Sequence, residues 1–316
     1  MSREHEFKVS KKFEVMKSGF LNLVYTDGVN VYSHLLSRPT VSRPLQERFE
    51  YSLKFLKEFG GSIAPNLVSA SFDRRKIVVM EKLEGKNQKE LLMELEEKGE
   101  QEKIRQAYFQ TGESLSIIHN SKNPDGISIP EYVTWFQNKT LEDAKSLIEL
   151  NKNLPPFYKI DESEFTGAMI STVLPQTTKM ISDLNFIPWR HGDFWSNNII
   201  GRVENDEYVL GGVIDPEFSC SGSPFEDLAQ ISVWEMETDN RDLYKEDFEK
   251  GYGKEIDWLA LTPFHITNAL DWLKPVNISV FNEDVQKAID AGTDPENQFC
   301  VMSIRMLQKY IELIHA

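Results

Sequence analysis

The chain has 316 residues, 40% hydrophobic and 27% charged, a composition that excludes the disordered and fibrous classes. At about 150 residues per domain, the length predicts two domains or lobes with a core that needs no disulfide or metal staple. Lys and Arg number 35 against 50 Asp and Glu, a scattered net charge of −15 that argues against a nucleic-acid binder; taken alone it reads first as a solubilising surface, and only weakly favours cationic small molecules.

Residues 7–16, 20–26 and 29–36 read as extended segments rich in Val, Phe, Tyr and Leu. Ser18-Gly19 and Asp27-Gly28 break them, the second as a hairpin signal. Over Leu45–Phe59 the period changes. Leu45, Phe49, Leu53 and Leu56 recur at helical spacing, and Gly60-Gly61 ends the run. Residues 67–72 and 76–83 read as two more strands around the polar turn Asp73-Arg74-Arg75. The first quarter of the chain is thus predicted to be a small α+β unit.

Beyond Gly85 the pattern is mainly helical. Residues 88–98 carry Leu91, Leu92 and Leu95, and residues 102–121 carry Ile104, Tyr108, Leu115 and Ile118 on one face. A polar loop holds Pro124 and Pro130. Helices are predicted over much of 132–184, interrupted at Pro155, Pro156 and Pro175. A short mixed segment fills 188–216. Helical patterns return at Asp227 and close on a stripe of Phe299, Met302, Met306, Tyr310 and Leu313.

Cys220 and Cys300 are too few for a disulfide framework, and without Cys-x-x-Cys no zinc or redox motif is read. The N-terminus has no apolar run of a signal peptide. No stretch approaches the ~18 apolar residues of a membrane span. The expectation is a soluble, cytoplasmic protein with neither nucleic acid nor membrane as partner. Oligomeric state is not legible.

The chemistry concentrates in 189–227. His191-Gly192-Asp193 is followed by Asn198, then by Ile214-Asp215-Pro216-Glu217. Ile199-Ile200 and Val213-Ile214 read as two short β segments, and a turn at 204–207 would bring the polar clusters together. Phosphoryl transfer from ATP needs magnesium to neutralise phosphate charge, hard oxygen ligands to hold it, and a carboxylate to orient the attacking hydroxyl. Asp193, Asn198 and Asp215 are the residue types for those three tasks, with Glu217 beside them. A metal hydrolase site on His191, Asp193, Asp215 and Glu217 is the rival, but zinc would call for a His-rich set. Asp227 stands at a helix entry and is expected to cap that helix or to tie the catalytic loop down rather than to touch substrate. Trp234-Glu235 and Asp271-Trp272 could frame an aromatic, acidic pocket for a cation, although such tryptophans are more often core.

The pair H-G-D-x-x-x-x-N and I-D-x-E resembles the aminoglycoside phosphotransferase/choline kinase-like family, relatives of the protein kinases. Pro224-Phe225-Glu226-Asp227-Leu228-Ala229 is similar to the family's D-L-A segment. Residues 18–25 resemble its nucleotide-covering hairpin, 78–85 its strand and hinge between lobes, and Leu115–His119 its L-x-x-L-H helix end. The resemblance implies a two-lobed, protein-kinase-like α+β fold, with an N-lobe over 1–82 and a C-lobe over 83–316. It implies ATP and Mg2+ as cofactors and a small-molecule acceptor. Asp193 would then act on the acceptor hydroxyl, Asn198 and Asp215 would hold the metal, and Glu217 would assist metal or substrate. Ser18, Gly19, Phe20, Asn22 and His34, with Met80, Glu81, Lys82 and Leu83 at the hinge, would bind nucleotide. His191 and Asp227 would be structural.

One departure stands out. The family expects a third-strand Lys or Arg paired with a helix Glu. Here His34 falls at the basic position, with Arg38 four residues on, and Glu47 and Glu50 flank the expected acid. A catalytically silent, kinase-like binding or structural protein is therefore the alternative. A protein kinase proper is disfavoured, because D-F-G and A-P-E are missing and the loop reads H-G-D. Acceptors within the resemblance include aminoglycosides, choline, ethanolamine and amino sugars.

Overall fold

Asp27 and Gly28 form the hairpin their spacing predicts. In the computed structural model, which describes residues 14–16, 22–36, 43–71, 76–237, 241–290, 293–295 and 298–315, the Asp27 carboxylate accepts the amides of Val29 and Asn30 at 3.0 and 2.8 Å. β1 (Glu14–Val15) pairs with β2 (Asn22–Thr26), and the turn returns the chain as β3 (Asn30–Leu35). Helix α1 (Leu45–Phe59) follows with the bounds read from its spacing, then β4 (Leu67–Ser71) and β5 (Lys76–Glu81). The five strands form one antiparallel sheet in the order β1-β2-β3-β5-β4. Directly opposed residues in such a sheet share a face. Asn22 opposes Leu35, and Leu35 opposes Lys76. That face buries Leu35, Val78 and Met80 against Phe49 and Leu53 of α1.

After Glu81 the chain leaves this sheet. β6 (Lys86–Asn87) pairs instead with a strand beyond residue 190. Helices α2 (Gln88–Glu97), α3 (Gln101–Asn120) and α4 (Ile129–Asn153) follow. Pro130 lies in the first turn of α4, behind a Ser128–Glu131 capping box, not in the loop where composition placed it. Its missing N–H costs nothing there. Pro175 does not interrupt a helix either. α5 (Glu162–Ala168) widens into a π turn at Met169–Val173 and continues as α6 (Leu174–Ser182). The wider turn, with Leu174 N–H bonded to Met169 O, accommodates a ring that would clash with the carbonyl four residues back in an α-helix.

β7 (Trp189–Arg190), β8 (Ile199–Glu204), β9 (Glu207–Val213) and β10 (Cys220–Ser221) make two small antiparallel sheets, β10-β7 and β6-β8-β9. α7 (Pro224–Ile231), α8 (Lys245–Tyr252), α9 (Thr262–Leu273), α10 (Ile278–Asp290) and α11 (Phe299–His315) complete the helical body. The stripe expected on α11 is rotated. Tyr310 faces the core as expected, but its buried neighbours are Val301, Ile304, Leu307 and Ile311, whereas Phe299 and Leu313 are each 47% exposed. One hydrophobic cluster runs from α1 and β5 through α3 to α7 and α8, and a second joins α4, α5, α9 and α11. Among the described residues no helix is long and apolar enough to cross a membrane.

Helices α3 and α8 touch backbone to backbone. A Cβ on Gly251 would lie 1.8 Å from the Phe109 carbonyl oxygen, whereas one on Gly167 of α5 would meet nothing within 4 Å. Alanine raises helix propensity by up to ~1 kcal/mol at either site. At Gly251, overpacking against rigid backbone outweighs that gain by roughly 1–3 kcal/mol. Thermal unfolding of Gly251→Ala should therefore begin well below wild type, and that of Gly167→Ala at or above it. Equal Tm values for the two variants would contradict this packing.

Candidate active site

β7 delivers the chain into His191-Gly192-Asp193, and Asp227 pins the bend. Its carboxylate accepts the amides of His191 at 2.7 Å and Gly192 at 2.8 Å, and His119 Nε2 lies 3.1 Å away. Asp227 is therefore not a helix cap; Ser223 caps α7. Burial opposes its ionisation, but the bond from His119 and the nearby cations hold its carboxyl below the usual range. His119, the end of the L-x-x-L-H segment, thus braces the loop from α3. The His191 ring spaces two loops, accepting from Asp193 N–H at 3.3 Å and donating to Ile214 O at 3.1 Å. Burial lowers its pKa, which suits a neutral ring bonded in that tautomer. Gly192 has φ +80°, and a Cβ there would lie 2.3 Å from Phe218 O.

The β8–β9 hairpin joins the two polar clusters, with Ile199 opposite Val213 and Ile214 N–H bonded to Asn198 O at 2.8 Å. Asn198 Nδ2 donates to Asp193 Oδ2 at 2.7 Å and to Asp193 O at 2.8 Å, leaving its Oδ1 as acceptor. Gln230 Nε2 donates to Asp193 Oδ1 at 2.8 Å. Burial pushes the Asp193 carboxyl up to about 6, against those hydrogen bonds. It is still ionised at pH 7 and a stronger base than a free Asp. Asp215 sits at the end of β9 in the left-handed region, φ 61°. Burial raises its pKa well above the usual range, and the fields of Glu217 and Asp193 add to that.

An added divalent cation would relieve this repulsion. Asp215, Glu217 and Asn198 Oδ1 are hard oxygen donors, the set magnesium takes. Among the described residues no three or more His, Cys, Asp or Glu side chains form a metal cage. When phosphates complete the shell of a magnesium ion, a protein needs to supply only a few oxygens.

Glu217 is buried, and its carboxylate pairs with the guanidinium of Arg48 from α1. Burial raises its pKa and Arg48 opposes the rise. Arg48 also reaches Leu36 O at 2.9 Å and Asn22 Oδ1 at 3.5 Å, while Asn22 Nδ2 donates to Asp215 Oδ1 at 3.1 Å. Asn22 thus contacts the site through Asp215. His34 does not stand at the expected position: it opposes Leu23 and Ile77, and strand alternation sends it to the face away from Asn22 and Asp215. Ser18, Gly19, Phe20 and Arg38 lie outside the described residues. At the hinge Met80 is buried, and the amides of Glu81 and Lys82 bond to Asn66 O and Val29 O at 3.0 Å each. Leu83 packs beside Gly212.

The tryptophans expected to frame a pocket do meet. Trp234 lies 5.6 Å from both Trp195 and Trp272, ring centre to centre, and Phe299 packs on Trp234 and Trp272 at 6.1 and 5.7 Å. Trp234 and Trp272 are half-buried, and Trp195 is two residues from Asp193. Glu235 is no part of that wall. It is buried and accepts Ser196 N–H at 2.8 Å and Tyr108 O–H at 3.1 Å, tying the loop that carries Asp193 to α3. Asp271 stays partly exposed and pairs with Lys139 at 2.8 Å. Arg48, Gln230 and Trp195 were missed from sequence. The one available signal was Arg48, a charge beside Phe49 on the buried face of an amphipathic helix.

Residues 13–264 match the sequence profile of a family described as the phosphotransferase enzyme family. No curated protein sequence is a significant match. Among solved structures, the GDP complex of aminoglycoside 2'-phosphotransferase-IIIa is 15% identical, with 97% of this chain and 94% of that one covered and a TM-score of 0.60. A choline kinase of Streptococcus pneumoniae is 15% identical over 96% and 93% of the two chains, with a TM-score of 0.57. An ethanolamine kinase of Plasmodium vivax is 16% identical over 96% and 81%, with a TM-score of 0.57. These likenesses show a shared protein-kinase-like fold.

Proposed function

The chain belongs to the phosphotransferase enzyme family and is a small-molecule kinase, and we propose that it transfers the γ-phosphoryl group of ATP to a hydroxyl of a cationic or amino-bearing acceptor. One observation supports the assignment of roles. Asn198 bonds Asp193 through its side chain and the Asp215 strand end through its backbone, so base and metal carboxylate are held by a single residue.

In this reading Asp193 orients the acceptor hydroxyl and takes its proton as the oxygen attacks the γ-phosphorus. The bond to the β–γ bridging oxygen breaks, and ADP leaves. Magnesium, held by Asp215 and Asn198 together with the nucleotide, would neutralise phosphate charge during that transfer. Asp227, His119 and His191 keep the Asp193 loop in place. The lobes would divide after Lys82, between the partners of β5 and β6, with the adenine against the backbone at 81–83.

The half-exposed wall of Trp195, Trp234, Trp272 and Phe299 supports a cationic acceptor, since ring faces attract cations. The structural neighbours named for aminoglycoside, choline and ethanolamine phosphorylation support the same class. Trp272→Ala should raise the acceptor KM roughly 3- to 30-fold and leave the ATP KM unchanged. Equal effects on both KM values would remove the wall from the acceptor site.

The reading is tested by ADP release from Mg-ATP across aminoglycosides, choline, ethanolamine, fructosamines, homoserine and methylthioribose. Acceptor-dependent turnover with an amino-bearing compound is expected. No turnover with any acceptor, together with no magnesium-dependent binding of ATP, would overturn the reading and favour a catalytically silent kinase-like protein.

A further inference from the structure

The described inner face of the sheet carries one basic side chain, Lys76, held with its ammonium 5.4 Å from the Phe49 ring centre. His34 is on the other face. The buried cation next to Asp215 and Glu217 comes instead from helix α1. Arg48 is 1% exposed, and its guanidinium packs over Phe218 at 5.7 Å. Its Nη atoms serve Leu36 O, Glu217 and Asn22, but its Nε is buried with no hydrogen-bond partner among the described residues.

A buried N–H without an acceptor is costly, and the cost disappears when an oxygen arrives. A guanidinium is also the group that meets a phosphate with a planar fork of donors. A buried Arg–Glu pair close to break-even against its own desolvation can exchange one anion for another at little net cost. We propose that Arg48, carried on α1, contacts the phosphates of the bound nucleotide, and that Glu217 holds its guanidinium in place until they arrive. The inference rests on the phosphotransferase reading. It reverses the expected polarity of the site: the helix provides the cation, and Glu217, just beyond β9, provides the carboxylate.

The test is equilibrium binding of Mg-ATP and, separately, adenosine, which lacks phosphates. Arg48→Met alone would leave Glu217 buried and unpaired, so Arg48→Met is combined with Glu217→Gln, and Glu217→Gln alone is the reference. The double variant should bind Mg-ATP roughly 10- to 100-fold more weakly than that reference, the loss of a charge-assisted contact, and adenosine equally well. Arg48→Lys, which keeps the charge but not the fork, should fall between wild type and the double variant for Mg-ATP.

Parallel losses for Mg-ATP and adenosine would make Arg48 merely structural and overturn the proposal. An unchanged Mg-ATP affinity, or a selective loss in Lys76→Met in place of the Arg48 variants, would overturn it too. A wild-type protein that binds adenosine and Mg-ATP with equal affinity would refute the phosphate contact while leaving a nucleoside site. One that binds neither would refute the phosphotransferase reading itself.

Discussion

Asp193→Asn is expected to lower kcat for acceptor-dependent ADP release by about 10²- to 10⁴-fold, the usual worth of a positioned general base. The substitution keeps the size of the side chain and removes only its capacity to take a proton. The new amide must point its NH2 group at one of the two donors that Asp193 now receives, Asn198 Nδ2 or Gln230 Nε2. Gln230 can rotate its own amide and present oxygen, so the loop can keep its hydrogen bonds. The prediction is therefore a collapse of kcat, with the KM values for ATP and acceptor within a few-fold and a Tm close to wild type. Turnover within threefold of wild type would remove Asp193 from the chemistry. A Tm far below wild type would show that its main task is to hold the loop.

The readings that held share one property: their physical cause is local. The Asp27-Gly28 turn needs only an Asx side chain and a short hairpin. Helix α1 needs only its apolar period and a glycine stop. The pairing of β8 with β9 needs two short apolar runs and the turn between them.

The readings that failed depend on register or on distant partners. His34 was assigned by counting along a strand, and a one-residue offset exchanges the two faces of a sheet. The α11 stripe held at Tyr310 but not at Phe299 and Leu313, because two overlapping sets of apolar residues satisfy the helical period. Only packing against α9 selects Val301, Ile304, Leu307 and Ile311. Glu235 resembles a pocket acid in sequence, yet its partners Tyr108 and Ser196 lie in two separate segments. The role of Arg48 was not legible, despite its place on the apolar face of α1, because a buried arginine makes sense only once Glu217, 169 residues away, is seen beside it. The site was legible where a motif packs its polar residues into a short stretch, and illegible where the complementary charge arrives from another element.

Asp215→Asn is expected to abolish turnover and stabilise the fold at the same time. Asp215 is the charge most opposed by its surroundings, since burial, Glu217 and Asp193 all disfavour its ionised form. A protein keeps such a charge for its task and gives up stability to do so. Asparagine suits the position in two respects. It tolerates the left-handed backbone of residue 215 better than alanine, and its carbonyl can still accept the bond from Asn22. What disappears is one negative charge from a group of three carboxylates that Arg48 only partly offsets. Relief of that repulsion should contribute roughly 0.5–2 kcal/mol, at about 2–4 °C in Tm per kcal/mol.

If Asp215 holds the metal as proposed, the same change removes one of its oxygens, and kcat should fall on the order of 10³-fold or more, as several kcal/mol of charge stabilisation implies. Magnesium and nucleotide together should raise the wild-type Tm more than that of the variant, because binding to the folded state alone is what stabilises it. The two measurements bear on separate links. A lower Tm in the variant would mean that Asp215 is held by contacts that outweigh its repulsion. An equal magnesium-dependent shift in both proteins would place the cation elsewhere, and with it the transfer chemistry assigned to this end of β9.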